Sequence, residues 1–285
     1  MSTASAAFKT ISRSTTGLPP FIIATGGTEY LSGGYKYHEF TSSGTFVVKS
    51  IPSYLSTTNG PGSAFNCIDI MLVGGGGGAA GAGGGAGGYV FIRSLRLIQG
   101  GNYEVVIGSG GLGTIQAGAS YTKGGDTAFG RGVLTTPLTA LGGGAPGSTL
   151  KNGGSGAGST TFGNQGTGQQ PSSTTGGLGN DGGASTVATG GGGAGTAGGT
   201  ASGGIDGSGG KGVVGDLPNN SGFYGYSNSE YNAPRQYCRG GSVGGGTGNQ
   251  PSGSGWGGST TGIGGYNGGS GVVILRYPSA FIYNQ

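Results

Sequence analysis

Two apolar segments with the pattern of β-strands bracket most of the chain. The first covers residues 66–73 (Asn-Cys-Ile-Asp-Ile-Met-Leu-Val) and the second covers residues 271–277 (Gly-Val-Val-Ile-Leu-Arg-Tyr). β-Branched residues are common in both, and these residues favour an extended backbone. Because an apolar strand follows the long glycine-rich stretch between them, we interpret that stretch as the interior of a folded domain.

Further strands are predicted where β-branched and aromatic residues concentrate. They lie at residues 35–40, 45–49, 89–93 and 102–107. The last of these alternates apolar and polar positions, as expected for the two faces of a sheet. No window carries the i, i+3, i+4, i+7 apolar stripe of a helix. The pattern predicts a mainly β fold with a small β-sandwich of about six strands and almost no α-helix.

Glycine dominates the region between the strands, with 78 glycines among 285 residues. Its runs occupy residues 74–88, 142–147, 153–158, 176–183, 190–199, 203–212, 240–248 and 262–271. Glycine cannot fill an apolar core, yet the composition of 32% apolar and 8% charged residues is not typical of disorder. Broken triplets exclude collagen, and scattered aspartates exclude a calcium-binding β-roll.

The remaining ordered use of glycine is a bundle of polyglycine-II helices. Such helices have three residues per turn and no internal hydrogen bonds, so their N–H and C=O groups must bond to neighbouring helices. Only glycine allows backbones to approach so closely. We therefore predict that the sandwich continues into a bundle of packed polyglycine-II helices.

The expected domain organisation has three parts. Residues 1–34 are a polar N-terminal arm, residues 35–277 form a single glycine-rich domain, and residues 278–285 are a C-terminal tail. Within the domain, the β part comprises residues 35–107 and the closing strand 271–277, and residues 108–270 form the polyglycine part. The apolar patch at residues 18–24 is too short to span a membrane, and no membrane insertion is expected.

Four motifs in order resemble the glycine-rich domain of bacteriophage tail fibres and receptor-binding adhesins. They are Tyr-His-Glu-Phe-Thr-Ser-Ser-Gly-Thr-Phe-Val-Val (37–48), Leu-Val followed by five glycines (72–78) with Gly-Ala-Gly-Gly-Tyr-Val (85–90), Asn-Tyr-Glu-Val-Val-Ile-Gly-Ser-Gly-Gly (102–111), and Gly-Gly-Ser-Gly-Val-Val-Ile-Leu-Arg-Tyr (268–277). The resemblance implies stacked polyglycine-II helices whose distal loops touch the bacterial surface.

The resemblance also implies a virion protein, on a tail fibre or the particle surface, made in the cytoplasm of a host bacterium. Its expected partners are a host surface glycan or outer-membrane protein, and other virion proteins through residues 1–34. Tail fibres are often trimeric, which leaves a homotrimer open, although no coiled-coil heptad argues for one.

Receptor recognition is expected from the segments that interrupt the glycine. Residues 217–239 combine aromatic rings, which stack on sugars, with arginines, which supply directional hydrogen bonds. The candidate receptor-binding residues are Phe223, Tyr224, Tyr226, Tyr231, Arg235, Tyr237 and Arg239, with Trp256 in a second polar turn at residues 248–256. The alternative is that these tyrosines only cover the open edge of the glycine bundle. Residues 159–175 are a weaker binding candidate.

Catalytic and cofactor-binding patterns are not found. The single histidine, His38, lies in a predicted strand and is interpreted as structural, and no metal site or cofactor is expected. The net charge of +4 is spread along the chain, which argues against nucleic-acid binding. Cys67 and Cys238 are expected to be free thiols.

Two functions compete at this stage, and neither is enzymatic. One is an adhesin that recognises a receptor through the loops between polyglycine helices. The other is a purely structural capsid or tail decoration that serves as a spacer. A polysaccharide-degrading enzyme is a distant alternative, because only nine acidic residues are scattered along the chain.

Overall fold

A computed structural model describes residues 21–51, 66–114, 121–147, 149–159, 164–185, 187–200, 207–214, 236–244, 250, 252–261 and 264–279. Two five-stranded antiparallel sheets form one end of this structure. Sheet A has the order β1-β4-β7-β8-β9, with the strands Ile23–Thr25, Gly44–Ser50, Asn102–Val106, Thr127–Arg131 and Leu138–Ala140. Sheet B has the order β2-β3-β14-β5-β6, with the strands Thr28–Ser32, Tyr35–Phe40, Val272–Pro278, Cys67–Val73 and Tyr89–Arg96.

The two sheets enclose an apolar core between them. Every second residue of their strands points into it, as the pleat of a β-strand requires. Sheet A contributes Phe46, Tyr103 and Phe129, and sheet B contributes Ile70 and Leu275, all of them buried. The rings of Tyr103 and Phe129 stack with their centroids 5.3 Å apart.

The mainly β fold and the near absence of helix are confirmed. Among the described residues, helix is limited to the short 3-10 helix Gln170–Ser172. The strand count differs from the expected six because β1, β2, β8 and β9 also join the sheets. Of the predicted arm 1–34, residues 1–20 lie outside the described residues, whereas β1 and β2 pair with β4 and β3.

The predicted closing strand is central to sheet B. β14 pairs antiparallel with β3 on one side and with β5 on the other. Val273, for example, lies opposite Phe40 and Leu72. The last strand of the domain therefore connects segments that lie more than 200 residues away in sequence.

The glycine-rich segments form the rest of the structure, which we call the glycine body. It comprises residues 74–88, 107–126, 141–159, 164–200, 207–212, 238–244, 252–261 and 264–271, within the described parts of those ranges. Its segments are held by backbone hydrogen bonds that run between segments far apart in sequence.

Segment 74–79 shows the bonding pattern of the glycine body most clearly. Its N–H groups donate hydrogen bonds to three neighbouring segments in turn, so that every third residue donates to the same segment. Residues 74 and 77 donate to carbonyls of segment 85–88, residues 75 and 78 to segment 122–125, and residues 76 and 79 to segment 266–269, all at 2.9–3.1 Å. One segment thus binds three others at once.

The spacing between these segments leaves no room for side chains. A Cβ atom at Gly76 would collide with the backbone carbonyl of Trp256, and one at Gly77 would collide with that of Gly144. The atoms that each Cβ would meet belong to the backbone, which cannot move aside as a flexible side chain can. Gly76 and Gly77 therefore require glycine.

Side-chain oxygens accept hydrogen bonds from the glycine body where a neighbouring carbonyl does not. Gly142 N–H donates to Asp126 Oδ1 (2.7 Å), and Gly168 N–H donates to Asp181 Oδ1 (2.8 Å). Asn267 Oδ1 similarly accepts the N–H of Gly113 at 2.7 Å. These side chains satisfy donors that would otherwise lie unpaired at the margin of the body.

The glycine body has two distinguishable ends. Its near end adjoins sheet B, since residue 74 follows β5 and residue 88 precedes β6. Its distal end contains the turn at residues 80–82, where the chain reverses direction. Thr114 belongs to the distal end because its N–H donates to Ala79 O (3.0 Å), and Thr189 does so because its O accepts from Gly83 N–H (3.0 Å).

His38 occupies a buried position in the sandwich, consistent with its predicted structural role. Its Nδ1 lies 2.7 Å from Gly26 O, and its Nε2 lies 3.0 Å from the hydroxyl of Tyr277. Since a carbonyl oxygen only accepts, Nδ1 carries the proton and Nε2 accepts from Tyr277. Burial lowers the pKa of His38 below its ordinary value. Both cysteines are free, as expected.

Candidate receptor-binding surface

The predicted receptor-binding residues divide into two groups. Phe223, Tyr224, Tyr226, Tyr231 and Arg235 lie outside the described residues. Tyr237, Arg239 and Trp256 lie within them. Of the weaker candidate 159–175, residues 160–163 are outside the described residues, and the remainder includes the buried Gln170.

The two ends of segment 215–235 are held together by a short antiparallel pair. β10 (Val213–Val214) precedes the segment and β11 (Gln236–Tyr237) follows it, with Val214 opposite Gln236. Both strands lie at the near end of the glycine body, because Val213 and Tyr237 pack with Met71 and Ile274 of sheet B. The described residues on either side of 215–235 therefore lie beside the sandwich.

Tyr237 faces the interior of the structure. Its side chain is only 2% exposed and packs in an apolar cluster with Tyr37 and Met71. Cys238 is fully buried in the same cluster, and burial raises the pKa of its thiol. Tyr237 thus serves to anchor the end of the segment to sheet B and does not present its ring to a partner.

Arg239 and Trp256 form a pair at the surface. The guanidinium carbon of Arg239 lies 5.7 Å from the centroid of the Trp256 ring, within the range of a cation–π contact. Trp256 Nε1–H donates to Gln236 O at 2.9 Å, which fixes the orientation of the indole. Two candidates from separate sequence regions therefore meet at one place, beside the residue where segment 215–235 ends.

Lys211 lies on a segment that adjoins the Arg239 segment, and no sequence pattern indicates it as a binding residue. It is exposed, and its segment runs beside that of Arg239: Gly240 N–H donates to Gly210 O at 2.9 Å. A Cβ at Gly212 would lie 3.3 Å from the backbone N of Arg239. No sequence signal indicates this proximity, because the contacts that create it are made by glycine backbone.

The distal end of the body presents a second surface. Leu112 and Val187, both about half exposed, lie close in sequence to Thr114 and Thr189 at this end. The resemblance to tail-fibre adhesins implies a receptor contact at this end of the body. Three stretches that adjoin it in sequence lie outside the described residues: 115–120, 160–163 and 201–206.

Neither a metal centre nor a membrane-spanning helix is found in the described part of the chain. No group of three or more His, Cys, Asp or Glu side chains converges there. No helix among those residues has the length and apolar character needed to cross a bilayer.

A known protein family matches most of this chain. The sequence model of the family described as "Glycine-rich domain" matches residues 52–278, well over half of the chain. The chain belongs to the glycine-rich domain family. The match includes the glycine body, with its short paired strands β12 (Thr260–Thr261) and β13 (Gly264–Gly265), and the other strands from β5 to β14. The family therefore covers both the body and the closing strand. A search of curated proteins gave no match.

Proposed function

We propose that the segments of the glycine body are polyglycine-II helices. The period-three rotation of hydrogen bonds along residues 74–79 supports this geometry, because a helix with three residues per turn directs successive N–H groups about 120° apart. The close contacts at Gly76 and Gly77 support it as well. At about 3.1 Å per residue, a six-residue helix reaches about 19 Å from sheet B.

We further propose that the protein is a phage virion adhesin that binds a receptor on the host surface. The observation that carries this proposal is the Arg239–Trp256 pair, in which Arg239 is exposed and Trp256 is half-buried, on a cross-bonded body beside β11. A fixed indole and an accessible guanidinium are residue types that dominate binding energy at interfaces. The receptor is a host glycan or an outer-membrane protein.

The location on a virion is part of the same proposal and rests on the resemblance to tail-fibre adhesins. In this proposal, residues 1–20 carry the contacts to neighbouring virion proteins. Residues 21–34 have a different role, since β1 and β2 belong to the sheets. Binding is non-covalent and involves no catalysis.

Binding of the fluorescently labelled protein to a panel of Gram-negative strains tests the adhesin proposal. We expect saturable binding to some strains. Replacing Arg239 and Trp256 together by Ala, or Tyr224, Tyr226 and Tyr231 together by Ala, weakens it at least about tenfold, as expected when interface anchors are lost. Thermal unfolding of each variant checks that the fold is kept.

A matched control removes an exposed apolar side chain elsewhere. Leu31 on β2 is 71% exposed, and Leu31→Ala is expected to leave cell binding unchanged. Replacing Leu112 and Val187 by Ala separates the two ends of the body. If that variant loses binding while the Arg239 and Trp256 variant keeps it, the receptor surface is distal and the proposed site is wrong.

The alternative function is that of a purely structural spacer. The dense backbone hydrogen bonding of the glycine body favours it, because such a body suits an inert spacer. Removing residues 1–20 distinguishes the two functions. The adhesin proposal expects residues 21–285 to bind cells as the full chain does. If no strain binds either protein, the adhesin proposal fails and the spacer function is favoured.

A further inference from the structure

The Arg239–Trp256 pair is part of a positively charged surface at the near end of the glycine body. Lys211 and Arg239 are both exposed and lie on adjacent segments, which are joined by the Gly240 to Gly210 hydrogen bond. Neither side chain forms an ion pair with any residue that the structure describes, unlike Lys36 with Glu29 or Arg276 with Asp69. Within the described residues, no carboxylate therefore neutralises either cation, and the segments that carry them adjoin each other.

The charge of these side chains favours an anionic ligand. The guanidinium carbon of Arg239 lies 5.7 Å from the centroid of the Trp256 ring, and a guanidinium in a cation–π contact keeps N–H donors available for a carboxylate or phosphate. Lys211 adds a second, flexible donor group nearby.

The aromatic ring favours a sugar as the carrier of that charge. The hydrogen bond from Trp256 Nε1 to Gln236 O holds the indole in one orientation, and Trp256 is half-buried with part of its surface open to solvent. A fixed ring offers an apolar face to the C–H groups of a pyranose at little cost in side-chain entropy. A flexible acidic peptide would bind the two cations, but it would not present a flat face of C–H groups to the indole.

We propose that Trp256, Arg239 and Lys211 form a subsite for an acidic sugar, in which the indole packs on the sugar ring and the two cations bind its carboxylate or phosphate. This inference rests on the proposed adhesin function and specifies the chemistry of its receptor. It places that contact at the near end of the body, beside segment 215–235, and away from the distal loops.

Titration of the full chain with defined polysaccharides, followed by biolayer interferometry, tests the proposal. The probes are polygalacturonate for a carboxylate, phosphorylated dextran for a phosphate, and unmodified dextran as the neutral reference. We expect saturable binding to at least one anionic polymer, at least about tenfold tighter than to dextran, and weaker in higher salt because salt screens the charges.

Substitutions identify the residues responsible. Arg239→Glu and Lys211→Glu are each expected to weaken binding about tenfold or more, in keeping with the loss of a hydrogen bond to a charged group. Trp256→Ala weakens it similarly, whereas Trp256→Phe retains part of the affinity because a ring remains. Lys49→Glu, on an exposed position of β4 in sheet A, makes the same charge change elsewhere and is expected to alter affinity less than about twofold.

Three results would overturn the inference. One is equal weakening by Lys49→Glu and Arg239→Glu, which indicates attraction to net charge alone. Another is equal binding of poly-glutamate and polygalacturonate, which indicates an acidic ligand without sugar specificity. The third is binding of dextran as tight as the anionic polymers, or binding of none of them by a folded protein. Because cell binding is measured separately, the adhesin proposal can survive each of these results.

Discussion

At the scale of single residues, glycines in this protein are not equivalent. Gly76 is surrounded by backbone, and a Cβ there would collide with the Trp256 carbonyl. Gly44, at the start of β4, has space: a Cβ would lie 3.6 Å from the Phe40 ring, an ordinary van der Waals contact. The two positions share a residue type but differ in what a methyl group would meet.

We therefore expect Gly76→Ala to destabilise the protein strongly and Gly44→Ala to have little effect. Overpacking against backbone costs about 1–3 kcal/mol or more, because the neighbouring segments must separate. An added methyl in open space costs almost nothing and reduces the freedom of the unfolded chain. Urea denaturation followed by circular dichroism gives the free energy of unfolding. Equal losses in both variants would show that the segments are packed less closely than described.

At the scale of elements, the 3-10 helix Gln170–Ser172 fixes part of the glycine body to sheet A. Gln170 is completely buried, and its Oε1 accepts the Leu141 N–H at 2.7 Å, just after β9. Its Nε2 donates to Ser173 Oγ at 2.9 Å and to Thr139 O at 3.2 Å. One amide thus satisfies backbone groups that no neighbouring segment reaches.

Removal of this amide is expected to be costly. Gln170→Ala leaves the half-buried Leu141 N–H without its acceptor, at about 1–3 kcal/mol, and adds the cost of a cavity. Gln169→Ala is the matched control, because the neighbouring Gln169 is exposed and makes no side-chain cap. Thermal unfolding of both variants is the measurement. A loss of stability for Gln169→Ala as large as for Gln170→Ala would contradict this role.

Strands whose own side chains show a β pattern could be predicted from the sequence. Strands that form only because a partner strand is available could not. β3 carries three aromatic residues and β5 is mostly apolar with two isoleucines and a valine, and both were predicted within a residue or two. β9 has three residues and β8 contains a glycine, so their strand character depends on the partners that they find in sheet A. For the same reason, the meeting of Arg239 and Trp256 was not foreseeable: glycine backbone brings them together and leaves no pattern in the sequence.

At the scale of the whole molecule, β14 completes the domain. It lies between β3 and β5, and Val273, Leu275 and Tyr277 fill the core from this central position. Segment 264–271 leads into β14 and binds segment 74–79 in the glycine body. The sandwich and the body therefore depend on the same C-terminal stretch.

Truncation before β14 is expected to prevent folding of the whole domain. A chain ending at residue 271 loses the central strand of sheet B, and the unpaired edges of β3 and β5 are exposed as sites for aggregation. A chain starting at residue 21 retains every described strand, and we expect it to unfold cooperatively and at the same temperature as the full chain. Circular dichroism melting and limited proteolysis compare the two. A cooperative transition in the C-terminally truncated chain would show that the body folds without its closing strand.

The rotation of hydrogen bonds along residues 74–79 also restricts how the chain length can change. Inserting one residue within this segment turns all the following residues by about 120° about the segment axis, so each N–H group would point at the wrong neighbour. An insertion of three residues restores the orientation. Segment lengths inside the body should therefore vary among relatives by multiples of three.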